Sequence, residues 1–381
     1  MTTRRNTPKT LAATVGLLAG LVLCLCSPVL AAIDYVPVAS LTQGLSQPVD
    51  VATGPDGLVY VVDGALNRIV VFDTDGASIR SFPAGKPAAV AAGANSIYVA
   101  DNTDLSVKIY DQAGTVVGNL GNGAGEFKMP LNIAVDRTSG NVYVVDLLAR
   151  QVRMYTAAGA YLGSVDDPTA EPQDIALTDT EIFLLDQTAV GNNFGAGSRT
   201  TRIVVFNRAG DLLRSFSPYG AGTGQLYSPK GIVADNETLY VTDAFHGVVL
   251  CFSPAGTYLG GVQDAAAPML TPLGLTLAPE GNKLYVASPP QKAIRVFKNS
   301  QYVAPVPPPP PTPDPPPAPE PTPDPTPDPT PDPPPPDVTP PPDVTPPPDV
   351  TPPPEPGDKQ HGHDKPDKKD KKDKRDKSRQ R

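Results

Sequence analysis

The sequence predicts an all-β fold in which six four-stranded antiparallel units close into a β-propeller. Three observations carry this. Residues 125–165 hold four short apolar segments bounded by Gly, Asp, Asn or Ser, the pattern of consecutive strands joined by tight turns. Five further copies of that stretch follow one another at spacings of 38 to 57 residues, a period that suits propeller blades rather than helical repeats. A lone four-stranded unit cannot bury both its faces, so the copies must cover one another.

The repeated residues justify each strand in turn. Every unit opens on a proline, at Pro48, Pro87, Pro130, Pro172, Pro229 and Pro272, which suits a first strand residue that needs no ladder N–H. The second strand ends three residues after an aromatic: Tyr60…Asp63, Tyr98…Asp101, Tyr143…Asp146, Phe183…Asp186, Tyr240…Asp243 and Tyr285…Ser288. The third strand carries Phe72, Tyr110, Tyr155, Phe206, Phe252 and Phe297, with Phe206 delayed by an insertion over residues 187–201. A turn glycine follows at Gly76, Gly114, Gly159, Gly210 and Gly256, because a tight hairpin needs a residue that accepts positive φ. Residues 32–41 read like the fourth strands of the other units, and blade six lacks its own. The N-terminal strand is therefore expected to close the ring as the outermost strand of blade six, removing open edges.

The pattern Pro-x-x-(I/V)-A-V-D…G-x-V-Y-V-x-D…R-(I/V)-x-V-(F/Y)-x-x-x-G resembles the NHL repeat over residues 48–299. The resemblance implies a six-bladed propeller whose loops between second and third strands, and between blades, share the ligand or partner face. Blade six departs from the pattern, with Ser288 for the aspartate and Gln301 for the turn glycine.

The flanks differ in kind from residues 32–304. Arg4, Arg5 and Lys9 precede an apolar run at 11–26 and small residues at 29–31. That is the make-up of a cleavable export signal over residues 1–31, too short for a membrane span. Cys24 and Cys26 each follow Leu rather than the small residue a lipidation site needs. Removing the signal leaves Cys251 alone, at an apolar third-strand position, and so no intrachain disulfide. Residues 305–357 carry 31 of the 50 prolines and should form a polyproline II spacer. Residues 358–381 alternate Lys and Asp, a composition that cannot seed a core and predicts a disordered tail. His361 and His363 in that tail lack further ligands for a metal.

Residues 32–304 hold 17 basic and 25 acidic side chains, a net −8. An acidic, exported propeller is poorly suited to phosphate backbones, which excludes nucleic acid as the expected partner. The expected function is non-catalytic binding of a protein or cell-envelope polymer by a monomer, with no cofactor. Its candidate contacts are the loop residues that break the repeat: Phe127, Lys128, Arg150, Phe194, Tyr227, Phe245 and His246. Repeated aspartates are scaffold in this reading, accepting turn N–H groups. The alternative is a Ca²⁺-dependent lactonase-like hydrolase, since Asp50, Asn132 and Asp174 fall at the inner ends of first strands and could converge as oxygen ligands. Six-bladed lactonases use such a channel ion. His246 alone supplies no convincing acid–base apparatus, and a purely structural envelope spacer is the third reading.

Overall fold

The computed structural model describes residues 33–167, 169–189 and 199–303; the segment expected to be an export signal, the proline-rich and Lys/Asp-rich segments, and Phe194 lie outside them. The described chain is all-β. Its helical turns are two short 3-10 turns at Gly64–Leu66 and Pro289–Gln291, and no described helix is long and apolar enough to cross a membrane.

Strand β1 (Tyr35–Leu41) comes first in the chain and last in the ring. Blade one is β2 (Pro48–Thr53), β3 (Val59–Asp63), β4 (Arg68–Phe72) and β5 (Ser78–Pro83). Blade two is β6 (Pro87–Ala92), β7 (Ile97–Asp101), β8 (Ser106–Tyr110) and β9 (Val116–Asn119). Blade three is β10 (Pro130–Val135), β11 (Val142–Asp146), β12 (Gln151–Tyr155) and β13 (Tyr161–Asp166). Blade four is β14 (Pro172–Leu177), β15 (Glu181–Ala189), β16 (Arg199–Asn207) and β17 (Leu212–Phe216). Blade five is β18 (Pro229–Ala234), β19 (Leu239–Asp243), β20 (Val248–Phe252) and β21 (Tyr258–Val262). Blade six is β22 (Leu275–Leu277), β23 (Lys283–Ser288) and β24 (Ala293–Asn299), completed by β1 in the order β1-β24-β23-β22. Tyr35 pairs with Asn299 and Leu41 with Ile294, so the N-terminal strand closes the ring as its sequence predicts.

Period-two alternation explains why whole second strands are buried. In β3, Val59 and Val61 pack towards Tyr285 and Ile294 of blade six, while Tyr60 and Val62 pack towards Val90, Ile97 and Tyr110 of blade two. Each blade is thus sandwiched, and the repeated aromatics are core residues. Cys251 is fully buried among Tyr240, Leu284 and Phe297, and that burial pushes its thiol pKa up, away from reactivity.

The turn glycines behave as the pattern requires. Gly159 has φ +96, and a Cβ there would stand 2.4 Å from the Asn119 carbonyl oxygen of blade two. The insertion is not a loose loop at its base. It lengthens β15 and β16 to nine residues each, pairing Gln187 with Thr201 and Ala189 with Arg199.

Candidate functional site

The aspartate ending each second strand is buried and fastens the loop that arrives from the preceding blade. Asp63 accepts from the Ser46 and Gln47 N–H groups, Asp101 from Lys86 and Thr103, and Asp146 from Lys128 and Met129. Asp186 accepts from the Glu171 N–H and the Thr188 hydroxyl. Ser288 serves in blade six by donating its hydroxyl to Leu270 O at 2.7 Å. The aspartate bonds are charge-assisted, and both devices satisfy groups that would otherwise be orphaned under the loops.

In blade five the same device assembles an aromatic surface. Asp243 Oδ2 accepts from the Tyr227 and Ser228 N–H groups at 2.6 and 3.0 Å, and Oδ1 from Phe245 and His246 at 2.9 and 3.0 Å. Two loops distant in sequence are thereby pinned to one carboxylate. The first of them is stiff: Leu226 N–H donates to Pro218 O, Gly220 N–H to Leu226 O and Gly222 N–H to Gln225 Oε1. A Cβ at Gly224 would meet the Tyr258 ring at 2.7 Å, so only glycine lets this loop lie against the blade.

The result is a run of four rings. Tyr219 stacks on Tyr227 with centroids 6.1 Å apart and planes 15° off parallel; Phe245 lies 4.4 Å from Tyr227, and His246 lies 5.1 Å from Phe245. Tyr219, Tyr227 and Phe245 are 39%, 47% and 59% exposed, a large apolar surface left in water. His246 Nε2 lies 3.2 Å from Ala221 O and Nδ1 lies 3.1 Å from Asp243 Oδ1. The Nε2–Ala221 O contact ties the imidazole to the first loop, while Nδ1 is buried beside Asp243 without a hydrogen bond, so neither nitrogen faces solvent as a base for a substrate.

Of the residues picked from sequence, the structure therefore joins Tyr227, Phe245 and His246. It adds Tyr219, whose only sequence signal is that it brackets the glycine-rich loop with Tyr227. Phe127 needs correction. It is 2% exposed and belongs to the core between blades two and three, with the Arg153 guanidinium 5.3 Å from its ring centre. The long link at 121–128 folds back, anchored by Phe127 N–H to Leu105 O, and inserts the ring where a shorter link would leave a void. Lys128 is exposed and Arg150, at φ +58, pairs with Glu171 at 2.9 Å. Both belong to blade three, apart from the aromatic run. Phe194 lies outside the described residues.

The innermost strands line a cavity of about 470 Å³ that runs from Asp50, Asn132 and Asp174 to the turns after the first strands, where Arg137 and Asp235 stand. Asp50 Oδ2 accepts from Val90 N–H of blade two at 2.9 Å; Asp174 accepts from Ile175 and from Ile232 of blade five, both at 2.7 Å. Asn132 Oδ1 accepts from Ile133 at 2.7 Å. Burial pushes the Asp50 pKa up to about 7. Burial, and then the Asp50 charge, hold Asp174 well above the carboxylate range. As a cation site the set is weak in kind: oxygens of all three are already spent on backbone N–H groups. Among the described residues no group of three or more His, Cys, Asp or Glu side chains is placed to hold a metal. Arg137, exposed at the other end, donates to Thr53 Oγ1 and Leu277 O across the opening.

A family model described as a 6-bladed beta-propeller, DUF5128, matches residues 80–186. No curated protein matches the sequence. Among solved structures the chain is similar to a gluconolactonase from Xanthomonas campestris, at TM-score 0.55 and 14% identity over 70% of this chain and 91% of that one. It is also similar to the hydrazine synthase of Kuenenia stuttgartiensis, at 0.50 and 13% over 70% and 99%. Virginiamycin B lyase from Staphylococcus aureus follows at 0.48 and 14% over 70% and 99%. The likeness extends to 1068 chains, and at these identities it shows the fold alone.

Proposed function

We propose that the protein is an exported, NHL-type propeller acting as a non-catalytic binding module of the cell envelope, taking a protein or an envelope polymer on the loop face of blades four and five. The observation that carries this reading is the exposed run of Tyr219, Tyr227, Phe245 and His246 held by Asp243. Aromatic side chains anchor interfaces because each covers much area for few rotatable bonds. The extended β15–β16 hairpin stands beside this run, since Ser217 Oγ donates to Thr201 O at 2.6 Å. The signal-like N-terminus, the acidic balance and the NHL-like pattern agree with an envelope role.

The test is co-sedimentation of the full chain with envelope material. Wild type should pellet and the double variant Tyr227→Ala/Phe245→Ala should lose at least tenfold in apparent affinity, as loss of interface anchors implies. Equal pelleting of both proteins would overturn the reading and leave the spacer role. A channel hydrolase using Ca²⁺ at Asp50, Asn132 and Asp174 keeps a second place. The cavity and the two buried carboxyl groups, Asp50 and Asp174, that line it are the observations in its favour. Isothermal titration with Ca²⁺ against wild type and Asp174→Asn checks it: heat that the variant abolishes would support an ion, and silence in both would remove it.

A further inference from the structure

We infer that the aromatic run of blade five receives an uncharged polysaccharide, with successive sugar rings laid along Tyr219, Tyr227 and Phe245. The inference rests on the binding role proposed above and names its partner class. The first argument is electrostatic. Residues 217–228 contain no charged side chain in a protein that is 19% charged. The one carboxylate beneath the rings, Asp243, is fully buried and accepts four N–H groups. A charged polymer or an acidic or basic peptide lying on this loop would find no opposite charge on it and would lose its hydration on docking.

The second argument is shape. The rings advance in steps of 6.1, 4.4 and 5.1 Å, each about the size of one six-membered ring. Their planes turn by 15°, 45° and 86° from one ring to the next, so the surface is faceted rather than flat. A sugar ring presents a face of C–H groups that stacks on an aromatic face, and its rim of hydroxyls needs donors and acceptors beside it. Ala221 and Thr223 are exposed beside the rings, and the Thr223 hydroxyl is a donor and acceptor for that rim.

The third argument is rigidity. The loop is held by its own backbone and side-chain bonds and by the His246–Ala221 contact, so little order has to be created on binding.

The experiment separates this inference from the binding role itself. Envelope material is divided into untreated, protease-treated and periodate-oxidised portions, periodate opening the vicinal diols of sugars. Full-length wild type and Tyr227→Ala/Phe245→Ala are sedimented with each, and titrated calorimetrically with dextran, pullulan and cellohexaose as defined uncharged glycans that carry vicinal diols. The expected result is binding that survives protease, falls at least tenfold after periodate and is competed by at least one of the three glycans, with the variant weak throughout. Binding lost to protease but kept after periodate overturns the glycan and leaves a protein partner on the same rings. Binding that the variant retains overturns both readings. Tyr219→Phe, which keeps the ring and its stacking, should bind within threefold of wild type; a larger loss would place the contact on the hydroxyl and contradict ring stacking.

Discussion

Asp50 supplies the sharpest test of the channel, through the pH dependence of stability. Its folded pKa is pushed up to about 7 from 3.8, chiefly by burial. A carboxyl raised in the folded state prefers to fold with its proton on. Below about pH 4 both states are protonated and nothing is lost. Between about pH 4 and 7 the unfolded state ionises while the folded state resists, so stability falls as pH rises. A rise of that size corresponds to about 4 kcal/mol. Asp50→Asn removes the titration and keeps an acceptor for Val90 N–H. The variant should therefore gain on wild type by roughly 3 kcal/mol between pH 5 and pH 8, the part of the loss still to come above pH 5, whatever the offset between the two proteins at low pH. Urea unfolding at both pH values, with the difference between proteins taken at each, cancels the histidines. The window also avoids Asp101, Asp136 and Asp167, whose pKa values are lowered and whose contribution is lost only as pH falls through them. Parallel pH slopes for the two proteins would refute a buried, uncompensated Asp50. Asp174, pushed up in part by the Asp50 charge, should titrate lower in the variant.

Phe127→Ala should cost about 3–5 kcal/mol in chemical denaturation, as core aromatic deletions do, whereas Phe245→Ala should stay within about 1 kcal/mol of wild type. Equal effects would return Phe127 to the surface. Asp243→Ala strands four N–H groups and should lower the melting temperature by several degrees, each unsatisfied group costing about 1–3 kcal/mol; a neutral outcome would mean water replaces the carboxylate. Gly159→Ala meets a backbone oxygen at 2.4 Å, while Gly281→Ala, at φ +70, meets nothing within 4 Å. The first should cost several kcal/mol by the same denaturation measurement and the second only about 1 kcal/mol from its φ, and a reversed order would contradict the blade contact.

Repetition made the scaffold readable. Tyr143, Asp146, Tyr155 and Gly159 recur with fixed spacing, and alternation then set which side chains face which neighbour, so blade order and the place of β1 followed. Deviations from the repeat were less faithful guides. Phe127 breaks the pattern because its link is long and folds inward, which no local periodicity records. Tyr219 belongs to a glycine-rich link whose counterpart in blade three has the buried Leu120 at the same distance before the opening proline, so only its bracketing of the loop with Tyr227 marked it until the bridge to Leu226 and the stack on Tyr227 placed it. The inward direction of Asp50 and Asp174 was legible. Their bonds to Val90 and Ile232 were not, because they join neighbouring blades across 40 and 58 residues.

The pairing of Tyr35 with Asn299 makes the ring a necklace whose clasp is hydrogen-bonded rather than covalent. A chain made from its N-terminus produces half of that clasp first and the other half after every other strand. Until then it is an open arc with an unpaired edge on β24 and a solitary strand at its start. Bringing two such distant halves together carries a closure entropy of about 5 kcal/mol and slows the final step relative to hairpins that zip locally. Partial chains are therefore the sticky ones, and the completed ring the inert one: a truncation that spares five whole blades but drops β1 should behave worse in solution than its lost contacts alone suggest.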